Sequence, residues 1–278
     1  MKTIIAPTDF SPVAANAVNF AADMAVALDA NLLLFNAYNI PVAYGEVPVV
    51  LISVEELKKK SEDELEALKK NIMHVASGKL KVYTESKMGN TVDELEALCK
   101  EIQPLAVVMG AKGKSGLENV IFGSTALGAI RHITSPVICV PPGKEYGHGI
   151  KKIGFACDLK HVAGNTPAAS IRELVKEFDA ELHIINVDHD DKHFTPTAPA
   201  ESSALHAMFD ELKPQYHFID HPDVEEGINE FAEQNNLDLI IAVPKKHSLL
   251  EGLFHSSKTK KLVFHSHIPV MCVHEESQ

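Results

Sequence analysis

The chain repeats itself, and that repeat limits its fold more than any other feature. Lys2-TIIAPTD-Asp9 and Lys151-KIGFACD-Asp158 share one form: a basic start, an apolar run, then an aspartate where a strand should end. DANLLLFNAYN from Asp29 matches DAELHIINVDH from Asp179, VVMG ending at Gly110 matches LIIA ending at Ala242, and SPVICV around Cys139 matches IPVMCV around Cys272. The landmarks come in the same order twice, as expected when each copy is one folding unit. The later landmarks lie closer together in the second copy, which lacks residues mainly in its middle. There the first copy carries an insert-like stretch from Ile40 to Lys70. A length of 278 residues suits two domains, set here at 1–142 and 150–275. The linker Pro141-Pro142-Gly143-Lys144-Glu145-Tyr146-Gly147-His148-Gly149 stops both helix and sheet.

Within each copy, short apolar runs alternate with amphipathic helical stretches, the pattern of βαβ units. In copy one the expected strands are Thr3–Ala6, Asn31–Ala37, Leu80–Glu85, Ala106–Met109 and Val137–Val140. Ser11 and Pro12 open a first helix, Ser53 opens a charged one, Thr91 caps a third, and Ser124 begins the last. In copy two Thr166-Pro167 opens the first helix, with strands near Ile153–Ala156, Glu181–Val187, Tyr216–Ile219, Leu239–Val243 and Val270–Val273. Continuous apolar runs such as LLLF and LIIAV suit central strands covered on both faces. The expected fold class is α/β: two tandem doubly wound, Rossmann-like domains, each a five-stranded parallel sheet with helices on both faces.

A formal net charge of −12 opposes nonspecific attraction to nucleic acid or anionic membranes. No segment has the run of about 18 apolar residues that a membrane span needs. Pro7 and Asp9 interrupt the N-terminal apolar stretch, which is wrong for a secretory signal. Cys99, Cys139, Cys157 and Cys272 sit inside or beside apolar runs without metal spacing, so buried reduced thiols in a cytoplasmic, soluble protein are expected. Twelve of the 15 histidines fall in the second half. Metal binding or pH sensing could follow, but His265-x-His267 at a helix end equally suits dipole stabilisation. The run from Glu55 to Glu64, with Leu57, Leu65 and Leu68, reads as a solvated helix face bearing one apolar stripe.

The chemistry concentrates in MGAKGKSGLENVIFGST, from Met109 to Thr125, between a strand and a helix. Gly113-Lys114-Ser115 imitates a Walker A loop, but that motif needs glycine where Val108 stands, and Gly116 follows Ser115 directly. The dinucleotide fingerprint would follow the first strand, where this chain has Pro7-Thr8-Asp9. What fits is G-x2-G-x9-G-[ST], with Gly110, Gly113, Gly123 and Ser124 in register. Glycines let backbone approach phosphate closely, and a helix start offers unpaired N–H groups. In the second half these positions become Ala242, Lys245 and His255, while Ser256 and Ser257 survive.

This loop, together with the opening IIAPTDFS, resembles the ATP-binding branch of the universal stress protein family, and the resemblance runs over both halves. It implies an adenine nucleotide alpha hydrolase-like fold and ATP as ligand, with magnesium as a candidate companion ion. By the same resemblance Asp9, with Pro7 and Thr8 beside it, approaches the ribose. Gly110, Gly113, Gly123, Ser124 and Thr125 hold the phosphates, and Ala37 lies near adenine by position alone. Met109 is a further cofactor-binding candidate, and Lys112, like Lys114, either neutralises phosphate charge or is an exposed lysine with no specific role. A stress-response or signalling protein with little or no turnover is implied. The alternatives are a slow magnesium-dependent ATPase or nucleotidyl-transfer enzyme, and a structural tandem with an incidental ligand. The second half is expected to bind ATP weakly or not at all. Two such domains are implied to pair about an approximate two-fold axis, within one chain or extended by a homodimer.

Overall fold

A computed structural model of the chain describes residues 2–40, 53–111, 123–189, 198–244, 262 and 266–274. The first half runs β1 (Thr3–Pro7), α1 (Pro12–Ala27), β2 (Asn31–Tyr38), α2 (Val54–Val75), β3 (Val82–Met88), α3 (Thr91–Ile102), β4 (Ala106–Gly110), α4 (Ser124–His132) and β5 (Val137–Val140). The second runs β6 (Lys152–Ala156), α5 (Val162–Asn165), α6 (Ala168–Phe178), β7 (Glu181–Asp188), α7 (Ala198–Phe209), a 3-10 turn (Asp210–Leu212), β8 (Gln215–Asp220), α8 (Val224–Gln234), β9 (Leu239–Ala242) and β10 (Val270–Cys272). Strand order is 3-2-1-4-5-10-9-6-7-8. All pairings within a half are parallel, and β5 meets β10 antiparallel, with Cys139 opposite Val270 and Val137 opposite Cys272. The two five-stranded sets therefore share one ten-stranded sheet.

Local chemistry explains most boundaries. Ser11 accepts the Ala14 N–H at 3.2 Å and Pro12 occupies the first turn of α1, where its missing N–H is no loss. Ser53 and Glu56 form a reciprocal capping box at 3.0 and 3.1 Å, which starts α2 where its charged run begins. Asn90, not Thr91, caps α3. Its Oδ1 accepts from Val92 N at 2.9 Å and Asp93 N at 3.4 Å, and Thr91 becomes the first helical residue. Strand β3 lies later than the sequence suggests. Its pairing with β2 runs from Leu32↔Val82 to Tyr38↔Met88, so sheet register carries it past Glu85 into polar residues. In the second half, Pro167 cannot donate a helical hydrogen bond. What is one 16-residue helix in the first half is split there into α5 and α6.

The sheet separates two apolar layers. Helices α1, α2, α5, α6 and α7 contribute to one, with Leu34, Val108, Ile153 and Ile241 from the strands. Helices α3, α4 and α8 contribute to the other, with Phe35, Val107, Cys139 and Cys272. Successive residues Leu32 to Phe35 all lie buried because both faces of β2 are covered. The linker is docked: Asn16 Nδ2 donates to Pro141 O and Lys144 O at 3.2 and 3.3 Å, and Tyr146 packs edge-on against Phe20 with centroids 5.2 Å apart. Lys2 and Glu177 form an ion pair between the halves. Cys99, Cys139 and Cys272 are buried free thiols, and burial pushes the first two up to about 12. Cys157 is only half-buried. Among the described residues no helix is long and apolar enough to cross a membrane.

Candidate functional site

The strand order reverses direction at β1, which lies between β2 and β4. In open α/β sheets the carboxyl ends of strands at such a switch point flank a crevice where ligands bind. Pro7 ends β1 opposite Phe35, which places Asp9 level with Ala37 beyond the end of the ladder. On the other side Ile5 faces Val107, so the register brings Met109 and Gly110 to the same edge. Six candidate residues, Pro7, Thr8, Asp9, Ala37, Met109 and Gly110, thus share one rim. Lys112 and Gly113 lie outside the described residues.

The turn after β1 is built by its own side chains. Thr8 N donates to Phe35 O at 2.8 Å, Thr8 Oγ1 accepts from Phe10 N at 2.9 Å, and Asp9 Oδ1 accepts from Ser11 N at 3.0 Å. These short loops hold Phe10 at φ 62°, a left-handed backbone that side-chain hydrogen bonds of this kind stabilise. Thr8 is buried and Asp9 is exposed at the rim. One aspartate oxygen closes the turn, and the residue stays exposed at the edge.

Gly110 has a packing reason for being glycine. A Cβ there would sit 2.6 Å from Val13 Cγ1 and 2.9 Å from the Val13 carbonyl oxygen, so any side chain would force β4 and the first turn of α1 apart. The same close approach leaves bare backbone at the rim. Ala111 N is already committed to Val140 O at 2.8 Å. Gly123 caps α4 without a side-chain hydrogen bond. The leading amides of Ser124, Thr125 and Ala126 therefore have no partner within the helix, the first internal bond being Leu127 N to Gly123 O at 3.2 Å. Because α4 follows β4, this uncapped start faces the carboxyl edge of the sheet. Gly128 lets α4 settle on α3, since a Cβ there would meet Val92 Cγ2 at 2.7 Å.

Sequence reasoning missed the residues behind the rim. Asn36 Nδ2 donates to Thr8 O at 2.7 Å, Ser61 Oγ donates to Asn36 Oδ1 at 2.7 Å, and Ser61 and Ser86 hydroxyls lie 2.6 Å apart. The one available signal was the repeated asparagine in LLLFNAY and LHIINVD. The second half makes the same bond, from Asn186 Nδ2 to Cys157 O at 2.9 Å. Its turn is also repeated, with Lys160 N donating to Asp158 Oδ1 at 3.2 Å and Leu159 at φ 51°.

Beyond that turn the halves diverge. The sheet register corrects the expected pairing of Gly110 with Ala242: Met109 lies opposite Cys139 and Ala242 opposite the equivalent Cys272, so Val243 takes the place of Gly110. Lys160 stands where Ser11 caps α1, and the start of α5 is served instead by Glu201 of α7, whose Oε2 accepts from Val162 N at 2.7 Å. Lys245, His255, Ser256 and Ser257 lie outside the described residues, as do His247 and His265. Among those described, no group of three or more His, Cys, Asp or Glu side chains is placed to hold a metal ion. His183 and His217 stack at 5.2 Å with Nδ1 and Nε2 3.1 Å apart, and His217 leans on Phe231 at 4.5 Å. Desolvation lowers the pKa of both, and for His183 the neighbouring His217 and Lys152 add to it.

Comparison with known proteins agrees with this architecture. The model of the universal stress protein family matches residues 1–141 and again 149–274. Universal stress protein MJ0531 of Methanocaldococcus jannaschii is 31% identical over 147 residues, which are 52% of this chain and 84% of that protein. A universal stress protein from Archaeoglobus fulgidus superposes with a TM-score of 0.76 at 16% identity, covering 99% of this chain and 98% of that one. A functionally unknown protein from Pseudomonas aeruginosa superposes with a TM-score of 0.65 at 12% identity, covering 99% and 93%. At those identities the two structural likenesses speak to fold alone. With the family model matched over both halves, the chain belongs to the universal stress protein family and carries two of its domains in tandem.

Proposed function

We propose that the first half binds ATP at the β1/β4 edge and that the protein acts as a nucleotide-dependent stress-response or signalling protein with little or no turnover. The observation that carries this reading is one juxtaposition. The Asp9 turn, the bare backbone at Gly110 and the uncapped start of α4 belong to the same carboxyl edge. Asp9 would take the ribose hydroxyls. The amides of Ser124 and Thr125, with the backbone of Gly110, Gly113 and Gly123 and the charge of Lys112, would take the phosphates. Pro7, Thr8 and Met109 would shape the walls, and Ala37 would border the adenine. Magnesium would enter with the triphosphate, bound through its oxygens. Such a cradle stabilises bound nucleotide, and ground-state binding does not by itself accelerate hydrolysis.

The second half would serve as the intramolecular partner of the first, the β5–β10 junction standing in for a two-fold contact between separate domains. Four cysteines outside any disulfide suit a reducing cytoplasm. Calorimetric titration of nucleotide-stripped protein with ATP and magnesium tests the reading. One site per chain, abolished by Gly113→Val, is expected. Two sites would return the second half to nucleotide binding, and none would move the protein to partner binding with no nucleotide role.

A further inference from the structure

Helix α2 looks from its sequence like a solvated helix with a leucine stripe, yet a serine sits in that stripe. Ser61 is 4% exposed, among Leu65 and Ile72, where a hydroxyl without partners would be costly. Its bonds form a chain with one consistent direction. A serine hydroxyl has a single hydrogen. Since Ser61 gives its hydrogen to Asn36 Oδ1, Ser86 must give its own to Ser61 Oγ. Asn36 then passes an N–H to Thr8 O. Both backbone polar groups of Thr8, its N–H to Phe35 O and its carbonyl to Asn36, are thereby turned toward β2. In a planar trans peptide the next N–H points opposite to that carbonyl. The relay thus sets the plane of the Thr8–Asp9 peptide, aims the Asp9 amide toward the β4 side of the crevice, and fixes where the Asp9 carboxylate hangs.

The second half supplies an internal control. Leu65 and Leu205 are both 1% exposed and, with Leu68 and Met208, pack into the same apolar layer. In that register Glu201 occupies the position of Ser61. Glu201 turns to Val162 N, so the chain behind Asn186 is not reproduced. The asparagine and the turn are common to both halves. The hydroxyl relay belongs to the half that keeps the glycine loop.

We propose that Ser61 and Ser86, acting through Asn36, are positioning residues that hold the Asp9 turn for ribose and tie α2 to nucleotide occupancy. The proposal rests on the ATP reading above. Ser61→Ala is the variant of choice, because alanine favours a helix interior and the protein should fold. In the ligand-free chain, hydrogen exchange over residues 8–14 should accelerate by about tenfold, with the segment 157–163 unchanged. ATP affinity should fall by about tenfold. The preference for ATP over 2′,3′-dideoxy-ATP should shrink toward one, a ribose-specific change that general loosening would not produce. Ser86→Ala, which leaves the Ser61–Asn36 bond in place, should do less of both.

Unchanged exchange over residues 8–14 would overturn the relay whatever the ligand. An equal affinity loss for both nucleotides, or an unchanged preference, would overturn the positioning role and leave the ATP reading intact. Failure of the unmodified protein to bind ATP would remove both, and is read before any variant is made.

Discussion

The two strand-end turns, Thr8–Ser11 and Cys157–Lys160, are nearly the same object in different surroundings. Each has an aspartate closing a turn at 3.0 or 3.2 Å, a left-handed residue after it, and an asparagine from the next strand on the preceding carbonyl. The aspartate is therefore a turn former wherever it occurs, and its presence alone says nothing about a ligand. What differs is around it. One turn has a bare glycine rim, a serine cap and a neutral buried relay. The other has Val243 in the glycine's place, a lysine in the cap position and a carboxylate reaching in from α7.

The largest test of that contrast is Gly110→Val. Contact with the backbone of Val13 cannot be relieved by rotating a side chain, so a destabilisation of about 3 kcal/mol is expected in urea unfolding, with ATP binding lost. Val243→Ile, at a rim that already accommodates a branched side chain, should be milder. Equal losses would show that Gly110 has no special approach to α1. Next come Asp9→Ala and Asp158→Ala. Each deletes one turn hydrogen bond, and similar stability losses of about 1 kcal/mol are expected. Only the first should weaken ATP binding, by tenfold or more if the ribose contact is made. A matching effect from Asp158→Ala would falsify the assignment of the site to the first half.

Removing the caps tests whether Glu201 replaces Ser11. Glu201→Ala and Ser11→Ala should each lower stability by about 1 kcal/mol, measured by denaturant midpoint. If Glu201→Ala is neutral, the carboxylate does not secure α5. The smallest effect separates the halves by acid. His183 and His217 have folded-state pKa values below 6.5, so the unfolded chain binds more protons as pH drops through 6.5 toward the folded values. Their contribution is present above that window and is lost within it. His217→Gln should flatten the fall in stability below pH 6.5.

Much of this fold is legible in the sequence. Alternating apolar runs and amphipathic stretches were enough for the βαβ order, because burial on both faces leaves an unmistakable run such as LLLF. Edges were less legible. The β3 boundary moved because an edge strand takes its register from β2, whatever its own hydrophobicity. The cap of α3 fell on Asn90 because two adjacent capping residues compete and only the chain's path chooses. In the candidate site, Asp9 and the glycines stood out by spacing. Ser61 did not, since a serine in a charged helix looks solvated until the fold buries it beside Asn36.

The chain's amino-acid order determined the repeat, the α/β class and the contrast between a glycine-rich loop and its substituted copy, since those follow from local periodicity and residue type. The tertiary structure decided what local rules cannot reach. It joined ten strands in one sheet through β5 and β10, pressed Gly110 against Val13, and replaced a missing cap with Glu201 from a distant helix. Each is a contact between residues far apart in sequence, and its energy exists only once the chain has brought them together.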